Sequence, residues 1–462
     1  MQRMIKNLFL TLQIIFSRIF SPARIFIISF ATVILIGAVL LWLPFSAGKG
    51  QLTFIDALFS SASAVCVTGL AVIDIGKDLS LAGQIITIFL FQCGGLGIIT
   101  FSVFFFGMMG IGVSFKGREI IQTTFLHSPK TDFYQILKSV FIFTFIIESI
   151  GTLLLLVRFA RDFPFWRALY VSIYHAVSAF NNCGYSLFSN SLIDYSGDYL
   201  INATIIGLII LGGIGFVVIH EIIYRLRGLE KRFSVHTKLV FITTLILIAG
   251  GTILFYFFER DHSIKNFPFD TAILASLFQS ITARTCGFNT VDLGHLTNHT
   301  ILVLIILMFI GASPGSAGGG VKTTSAAILF LIIWNRIRGS EEVNVFNRTI
   351  PREISTKTIF IIFASAFSVV FITSVLLFSG AGNIATVESR HLFIEYLFES
   401  VSAFGTVGLS LGTTQNLDPF QKLAVIILMF AGRVGPLTLA LSLTMRPDKK
   451  TLSYAEETVM VG

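Results

Sequence analysis

The chain has 462 residues, of which 54% are hydrophobic and only 13% are charged, and its mean hydropathy is +0.84. Soluble domains carry about 25% charged residues, so this composition excludes an ordinary soluble protein and indicates an integral membrane protein. The formal net charge is +8, but its distribution along the chain, described below, argues against a nucleic-acid partner.

Eight apolar runs approach or exceed the roughly 20 residues that a helix needs to cross a bilayer. They are Ile25–Leu43, Leu81–Met108, Leu137–Val157, Leu200–Ile219, Leu239–Phe258, Ile301–Trp334, Thr358–Phe378 and Leu423–Leu443. The basic segment 1–24 precedes a run that is too long for a signal peptide and lacks a small-residue cleavage site. We therefore expect the first span to be retained.

Most of the 33 lysine and arginine residues fall in the two tails and in the connections that follow even-numbered spans. Because basic residues accumulate on the cytoplasmic side of a membrane, both termini are expected to be cytoplasmic. The net positive charge thus reflects the orientation of the chain in the membrane.

The four cysteines are scattered through apolar sequence without a C-x-x-C pair, so neither a metal site nor a disulfide framework is indicated.

Four similar segments lie between the odd and even spans. Each opens with an aromatic residue followed by small hydroxyl residues and ends at one glycine: Gly69, Gly184, Gly287 or Gly408. The segments read ALFSSASAVCVTGL (Ala57–Leu70), SIYHAVSAFNNCGYSL (Ser172–Leu187), SLFQSITARTCGFNT (Ser276–Thr290) and YLFESVSAFGTVGLSL (Tyr396–Leu411). The third is one residue shorter before its glycine.

The spans that follow these segments repeat as well, with CGGLG, LGGIG and AGRVG at Cys93–Gly97, Leu211–Gly215 and Ala431–Gly435. An internal repeat fixes the architecture. The prediction is an all-α polytopic membrane protein of four pseudo-repeats, each span–re-entrant pore loop–span, giving eight spans and four pore loops around one central pore. The predicted divisions are a cytoplasmic segment 1–24, repeats 25–115, 116–235, 236–340 and 341–446, and a cytoplasmic tail 447–462.

One glycine- and serine-rich segment would be explained by close helix packing. Four in register, each between two spans, favour another interpretation. Non-helical backbone at membrane depth must be buried in protein or line a watery cavity, and four such loops can form a ring of carbonyls that replaces the hydration shell of a cation.

These segments resemble those of the Trk/Ktr/HKT superfamily of potassium transporters, over nearly the whole chain, and are most similar to the membrane subunit of bacterial Ktr systems. TVGL (Thr406–Leu409) also resembles the TVGYG filter of potassium channels. In the superfamily, glycine at all four filter positions goes with potassium, and serine in the first repeat goes with sodium in some relatives. The resemblance implies a potassium uptake protein of the plasma membrane, with K+ as the transported ion.

The candidate ion-binding residues are Val67, Thr68, Gly69, Asn182, Cys183, Gly184, Thr285, Cys286, Gly287, Thr406, Val407 and Gly408. Acidic residues in the predicted outer loops could raise the local cation concentration, or could simply be solvated loop charges. They are Asp74, Asp78, Asp194, Asp198, Asp292 and Asp418.

The sixth apolar run is interrupted by GASPGSAGGGVKTTS (Gly311–Ser325). Glycine costs about 1 kcal/mol and proline about 3 kcal/mol in a helix interior, so an unwound intramembrane loop is predicted at 311–325. It is either a gate, as the resemblance implies, or a broken helix without function. A phosphate-binding loop is disfavoured because no strand precedes it.

The candidate gate residues are Gly311, Ala312, Ser313, Pro314, Gly315, Ser316, Ala317, Gly318, Gly319, Gly320, Lys322 and Arg433. A charge inside a span is functional by default, and the resemblance implies that Arg433 faces the pore near the glycine loop. Glu148, in the third span, is interpreted as having a structural or ion-path role.

The resemblance further implies a homodimer on a cytosolic ring of nucleotide-binding regulatory subunits of the RCK type, with Na+ as a possible activator. No organic cofactor is expected in this chain, and no enzymatic activity. Two alternatives stay open for the transported species: a sodium-permeable relative, and a sodium-coupled transporter of another solute, since such transporters also use broken helices.

Overall fold

The structure is a computed structural model that describes residues 22–48, 50–97, 133–228, 232–381 and 386–443. Most of the predicted segment 1–24, the second half of the predicted span Leu81–Met108, and the predicted tail 447–462 lie outside these residues.

The described residues are mostly helical. The helices are α1 (Pro22–Trp42), α2 (Phe54–Cys66), α3 (Ile75–Asp78), α4 (Leu81–Leu96), α5 (Phe133–Phe159), α6 (Phe165–Phe180), α7 (Tyr199–Gly213), α8 (Phe216–Leu226), α9 (Val235–Glu259), α10 (Phe269–Thr282), α11 (Asn298–Phe309), α12 (Thr323–Ile337), α13 (Arg352–Ala381), α14 (Thr386–Gly405), α15 (Pro419–Val434) and α16 (Pro436–Leu443). Single turns of 3-10 helix lie at Pro44–Ser46, Ile193–Tyr195, Leu293–His295 and Thr414–Asn416. Between α12 and α13, β1 (Val343–Val345) pairs antiparallel with β2 (Arg348–Ile350), with Val343 opposite Ile350.

Four long helices, α1, α5, α9 and α13, are long and apolar enough to cross a membrane. Their outward faces carry large apolar side chains: Phe145 is 73% exposed, Leu245 69% and Phe363 72%. Exposed apolar surface on this scale marks contact with lipid or with another protein, so these faces are suited to a bilayer.

The core lies around the short helices that follow the long ones. Helices α2, α6 and α10 bury nearly every residue of their second halves, including small polar side chains such as Ser63, Ser178 and Ser280. The C-terminal half of α14 is buried in the same way. Each long helix therefore stands at the periphery, and each short helix points into the interior.

The second, fourth and eighth predicted spans differ from the prediction, because a described helix ends inside each of them. Helices α4, α7 and α15 end at Gly97, Gly215 and Gly435 or just before them, and these glycines have φ of +86°, +100° and +88°. Such values cannot continue a right-handed helix. Across the second of these breaks, α8 is bent by 98° from α7.

The first glycine of each repeated motif CGGLG, LGGIG and AGRVG has a packing role that the sequence alone did not reveal. Gly94, Gly212 and Gly432 lie against the carbonyl oxygens of Val65, Phe180 and Phe404, and a Cβ at any of the three would overlap that oxygen. In each case the helix that begins a predicted even span packs on the last turn of the short helix that precedes it.

Replacing Gly212 by Ala should destabilise the protein, because the added methyl group meets the backbone of Phe180. Overpacking of this kind costs about 1–3 kcal/mol. Gly207, in the same helix α7, has open space around its Cα, so Gly207→Ala is the matched control and should be neutral or stabilising by up to about 1 kcal/mol. Thermal unfolding of both purified variants in one detergent measures the difference, and equal melting temperatures would contradict the packing argument.

Candidate functional site

The four glycine segments meet in one closed ring. A Cβ on Gly69 would overlap the carbonyl oxygen of Cys183, and a Cβ on Gly184 would overlap that of Cys286. In the same way Gly287 faces the carbonyl oxygen of Val407, and Gly408 faces that of Thr68. Each segment thus touches the next in chain order and the last touches the first, which places the second segment opposite the fourth.

The backbone of the four segments has a common conformation. The glycines have φ of +88°, +76°, +90° and +93°, and the residue two positions earlier is also left-handed in every segment. These earlier residues are Val67 (+56°), Asn182 (+58°), Thr285 (+100°) and Thr406 (+50°). For a β-branched residue a positive φ is a genuine outlier, and strain of this kind persists only where the surroundings impose it, commonly at functional sites.

Main-chain atoms are the ones that the ring offers to its surroundings. All eight non-glycine residues of the predicted filter are fully buried, whereas each of the four glycines is partly exposed. The exposed surface of this ring therefore lies at its glycines, between buried neighbours.

The short helices end in the same way before three of the glycines. The amide of Thr68 donates to the carbonyl of Ser63 (2.8 Å), that of Cys183 to Ser178 (2.8 Å) and that of Val407 to Ser402 (2.9 Å). In the third segment Cys286 donates to Thr282 (2.9 Å), across one residue fewer. The third segment, which is one residue shorter than the others, thus differs from them in the turn that ends α10.

The glycine-rich loop between α11 and α12 lies against this ring. A Cβ on Gly318 would overlap the hydroxyl of Thr285, and one on Gly319 would overlap the hydroxyl of Thr406. The amide of Gly319 donates to that same Thr406 hydroxyl (2.9 Å). The loop therefore touches the left-handed residues of the third and fourth segments directly.

Backbone hydrogen bonds fix the loop to the neighbouring helices. Ser313 donates to the carbonyl of Gly213 and Ala317 to that of Gly212, both at 3.1 Å, and Gly320 donates to Gly432 (3.3 Å). Gly311 donates to Val321 (2.9 Å), which closes the loop on itself.

Arg433 and Lys322 both bind loop carbonyls. The Arg433 guanidinium donates to the carbonyl oxygens of Ala317 and Gly94, and also to Gly95 (3.3 Å). The Lys322 ammonium donates to Gly318 (2.7 Å). Arg433 thus joins the loop to α4 of the first repeat.

Glu148 lies in a polar cluster beside the ring. Its carboxylate accepts hydrogen bonds from the side-chain amides of Asn181 (3.1 Å) and Gln92 (3.4 Å), and Asn181 also donates to Gln92 (2.6 Å). Asn181 follows α6 directly and precedes the left-handed Asn182. The contacts favour the structural interpretation of Glu148, as a support for the end of α6.

Several of the predicted outer acidic residues act as helix caps. Asp74, Asp198 and Asp292 accept backbone amide hydrogen bonds at the start of α3, α7 and the 3-10 turn Leu293–His295. Asp418 and Gln421 form a capping box at the start of α15. Helix capping is therefore a sufficient reason for an acidic residue at each of these positions, and a role in attracting cations is not needed to explain them.

The comparisons with known proteins agree on one family. A family profile described as "TrkH: Cation transport protein" matches residues 15–454. The chain belongs to this family. The matched family is one of transport proteins, in agreement with the expectation that the chain is not an enzyme.

Relatives of this TrkH-family chain match it along almost its whole length. It is 36% identical to "Ktr system potassium uptake protein B" of Vibrio alginolyticus, over 95% of this chain and 94% of the relative. It is also 36% identical to the protein of the same name from Bacillus subtilis (strain 168), over 96% and 97% of the two chains. The "Potassium/sodium uptake protein NtpJ" of Enterococcus hirae is 33% identical, over 96% of this chain and 97% of the relative.

The fold is also similar to a solved member. The crystal structure of the potassium transporter TrkH from Vibrio parahaemolyticus matches with a TM-score of 0.70, over 90% of this chain and 83% of that one, at 20% sequence identity. The architecture described above is thus that of a polytopic membrane protein of the TrkH fold.

The ring predicts a difference between two glycines with the same backbone conformation. Gly287 (φ +90°) faces the carbonyl of Val407, whereas Gly412 (φ +98°) has open space around its Cα. Alanine at either position bears about 1–2 kcal/mol of left-handed strain, but only Gly287→Ala also clashes with a neighbouring segment. We expect Gly287→Ala to have the lower melting temperature of the two. If both variants unfold together, the contact between segments is not what requires glycine.

Proposed function

We propose that this chain takes up potassium across the plasma membrane through one central passage lined by its four glycine segments. In this proposal eight spans, each odd span continuous and each even span interrupted, surround four re-entrant loops in the repeats 25–115, 116–235, 236–340 and 341–446, with both termini cytoplasmic. The observation that carries the proposal is the closed ring in which Gly69, Gly184, Gly287 and Gly408 each face the next segment's carbonyl.

Two electrostatic features would favour a cation in this ring. Main-chain carbonyls can replace the hydration shell of a bare ion, as in potassium-channel filters. The last turns of α2, α6, α10 and α14 also lead directly into the segments, and a helix C-terminus carries roughly half a negative charge. The ring would therefore stabilise a dehydrated cation without any carboxylate ligand.

Potassium is the ion that the sequence and its relatives favour. All four filter positions hold glycine, the pattern that goes with potassium in the superfamily, and two relatives are named as potassium uptake proteins. The membrane potential would drive entry with roughly 2.3 kcal/mol per charge for 100 mV. No organic cofactor is required by this mechanism, and Na+ would act at most as an activator.

The loop from Gly311 to Gly320, with Lys322 and Arg433, would be the gate. Its hydrogen bonds and packing contacts reach the second, third and fourth segments or the helices beside them, and Arg433 extends them to α4 of the first repeat. Two positive charges held on loop carbonyls would also repel a cation that leaves the ring. Opening would require the loop to leave Thr285 and Thr406.

Control of this gate would come from outside the chain. The sequence holds no nucleotide-binding motif, so we propose a homodimer that rests on a cytosolic, RCK-type ring of nucleotide-binding subunits. Two relatives carry the name "Ktr system potassium uptake protein B". A name of this form indicates a system with more than one component, which supports a partner of this kind.

A second candidate is a passage that also admits sodium. It is favoured by one relative, which is named a potassium/sodium uptake protein and is 33% identical to this chain. The four filter glycines favour the first candidate.

Gly69→Ser should weaken the preference for potassium over sodium several-fold. The serine side chain would meet the carbonyl of Cys183 within the ring, so the carbonyl geometry around the ion must change. Growth of a potassium-uptake-deficient bacterium at low external potassium tests the uptake itself, and ion flux into proteoliposomes measures the ratio. Gly50→Ser is the matched control, because Gly50 has a similar φ of +87° and open space. An unchanged ratio in a folded Gly69→Ser protein would contradict the filter assignment.

Arg433→Gln should raise cation flux several-fold, because it removes a positive charge and weakens the bridge between Ala317 and α4. Rubidium flux into proteoliposomes measures this, with Arg336→Gln at the exposed end of α12 as the control. Deletion of residues 315–320 should act in the same direction. Unchanged or reduced flux in both variants, each with normal size-exclusion behaviour, would count against the gate.

A further inference from the structure

Four buried side chains occupy matching positions on the short helices, before the last turns that lead to the ring. They are Ser60 on α2, His175 on α6, Gln279 on α10 and Glu399 on α14, and all four are fully buried. The positions match when the third segment is shifted by its one missing residue. Two of the four are ionisable, and these two belong to the opposite segments of the ring.

His175 and Glu399 make the same contact in their two repeats. His175 Nε2 lies 3.0 Å from the hydroxyl of Ser186, and the carboxylate of Glu399 accepts a hydrogen bond from the hydroxyl of Ser410 (2.8 Å). Each serine is the second residue after the ring glycine, Gly184 or Gly408. His175 and Glu399 therefore each hold the residues that follow the ring glycine of their own segment.

The serines in turn shape the following backbone in the same way. The hydroxyl of Ser186 accepts from the amide of Phe188 (3.0 Å), and that of Ser410 accepts from the amide of Gly412 (3.1 Å). Each repeat also adds one contact of its own. The His175 ring stacks on Phe188 with centroids 4.9 Å apart, and Thr414 donates to the Glu399 carboxylate. We call the two contacts His175–Ser186 and Glu399–Ser410 the latches, because each ties a short helix to the residues that follow its ring glycine.

The first and third repeats lack this arrangement. The residue two after the glycine is Ala71 in the first repeat, which has no hydroxyl, and Asn289 in the third. Within the described residues, the hydroxyl of Ser60 and both polar atoms of the Gln279 side chain form no hydrogen bond. The latches are therefore a feature of one opposite pair of segments and not a general property of the repeat.

A buried ionisable group is costly in an apolar interior unless it is hydrogen-bonded. The described ion pairs do not include Glu399, whose described partners are hydroxyl groups. The buried carboxylate of Glu399 is thus stabilised by a hydrogen bond from Ser410, a residue that follows the ring glycine. Such a bond holds the residues that follow the glycine, in two segments that lie opposite each other in the ring.

We propose that His175 and Glu399 are positioning residues for cation selection, which hold the residues after Gly184 and Gly408 at a fixed separation on opposite sides of the ring. This inference rests on the proposed function, because it assigns these residues to the same ring. They act through Ser186 and Ser410 and do not contact the ion.

The experiment measures the KM for potassium and the potassium-to-sodium flux ratio in proteoliposomes for Ser410→Ala, Glu399→Ala and the double variant. We expect the KM to rise and the flux ratio to fall by about tenfold in each single variant, the size expected for one hydrogen bond. The maximal rate should change little. Because the bond between Ser410 and Glu399 is already lost in each single variant, the double variant should show clearly less than the summed losses. Glu399→Gln, which can still accept the serine hydroxyl, should recover part of the selectivity.

Ser60→Ala is the matched control, since it removes a buried hydroxyl at the equivalent position where no latch exists. It should leave the KM and the flux ratio unchanged. Ser186→Ala should act like Ser410→Ala. If Ser410→Ala has wild-type values in a folded protein, if the double variant shows the summed losses, or if Ser60→Ala has the same effect, the proposal is wrong.

Failure of the proposed function gives a different result, because the wild-type protein would then not restore growth at low potassium. If the wild-type protein transports sodium instead of potassium, the role of the latches is tested by measuring the KM for sodium. A rise in that KM for Ser410→Ala supports the positioning role, and no rise overturns it.

Discussion

Main-chain carbonyls and amides that lie at membrane depth outside a helix need partners, because lipid supplies none. Amides in the four glycine segments find such partners in carbonyls of their own short helices, as Thr68 does in Ser63. Each glycine also packs against the carbonyl of the next segment, from Gly69 around to Gly408. Left-handed φ values at Val67, Thr285 and Thr406 are unfavourable for β-branched residues, so the surroundings must impose them. Those surroundings include the contacts between segments and the bonds of each segment to its own short helix.

The surrounding helices are arranged to protect that ring. Gly94, Gly212 and Gly432 bring α4, α7 and α15 against the last turns of α2, α6 and α14, and the loop before α12 packs on the threonines of the third and fourth segments. The long helices α1, α5, α9 and α13 remain outside, where their apolar faces are exposed. The chain thus buries the polar backbone of the ring within a hydrophobic core and also exposes large apolar side chains at its periphery.

The sequence was sufficient to locate the four glycine segments, because one backbone requirement recurs four times in register and each recurrence supports the others. It also predicted an unwound stretch at 311–325, because proline and clustered glycines are incompatible with a helix interior. The structure has this stretch outside helix as far as Lys322, whereas Thr323–Ser325 already belong to α12. The sequence did not predict the breaks at Gly97, Gly215 and Gly435. Those glycines resemble the ordinary small residues of membrane helices, and their φ values depend on neighbours distant in the chain. The capping role of Asp418 was readable from Gln421 three residues later, whereas the partners of Arg433 required the folded structure.

The central claim is that the four segments coordinate a dehydrated monovalent cation through main-chain oxygens. Anomalous diffraction from crystals of the protein grown in a rubidium or thallium salt tests this most directly. The account predicts a peak on the axis of the ring, beside the carbonyls of Thr68, Cys183, Cys286 and Val407. A transport-competent protein with no peak there, or with its only peaks between peripheral helices, would contradict it.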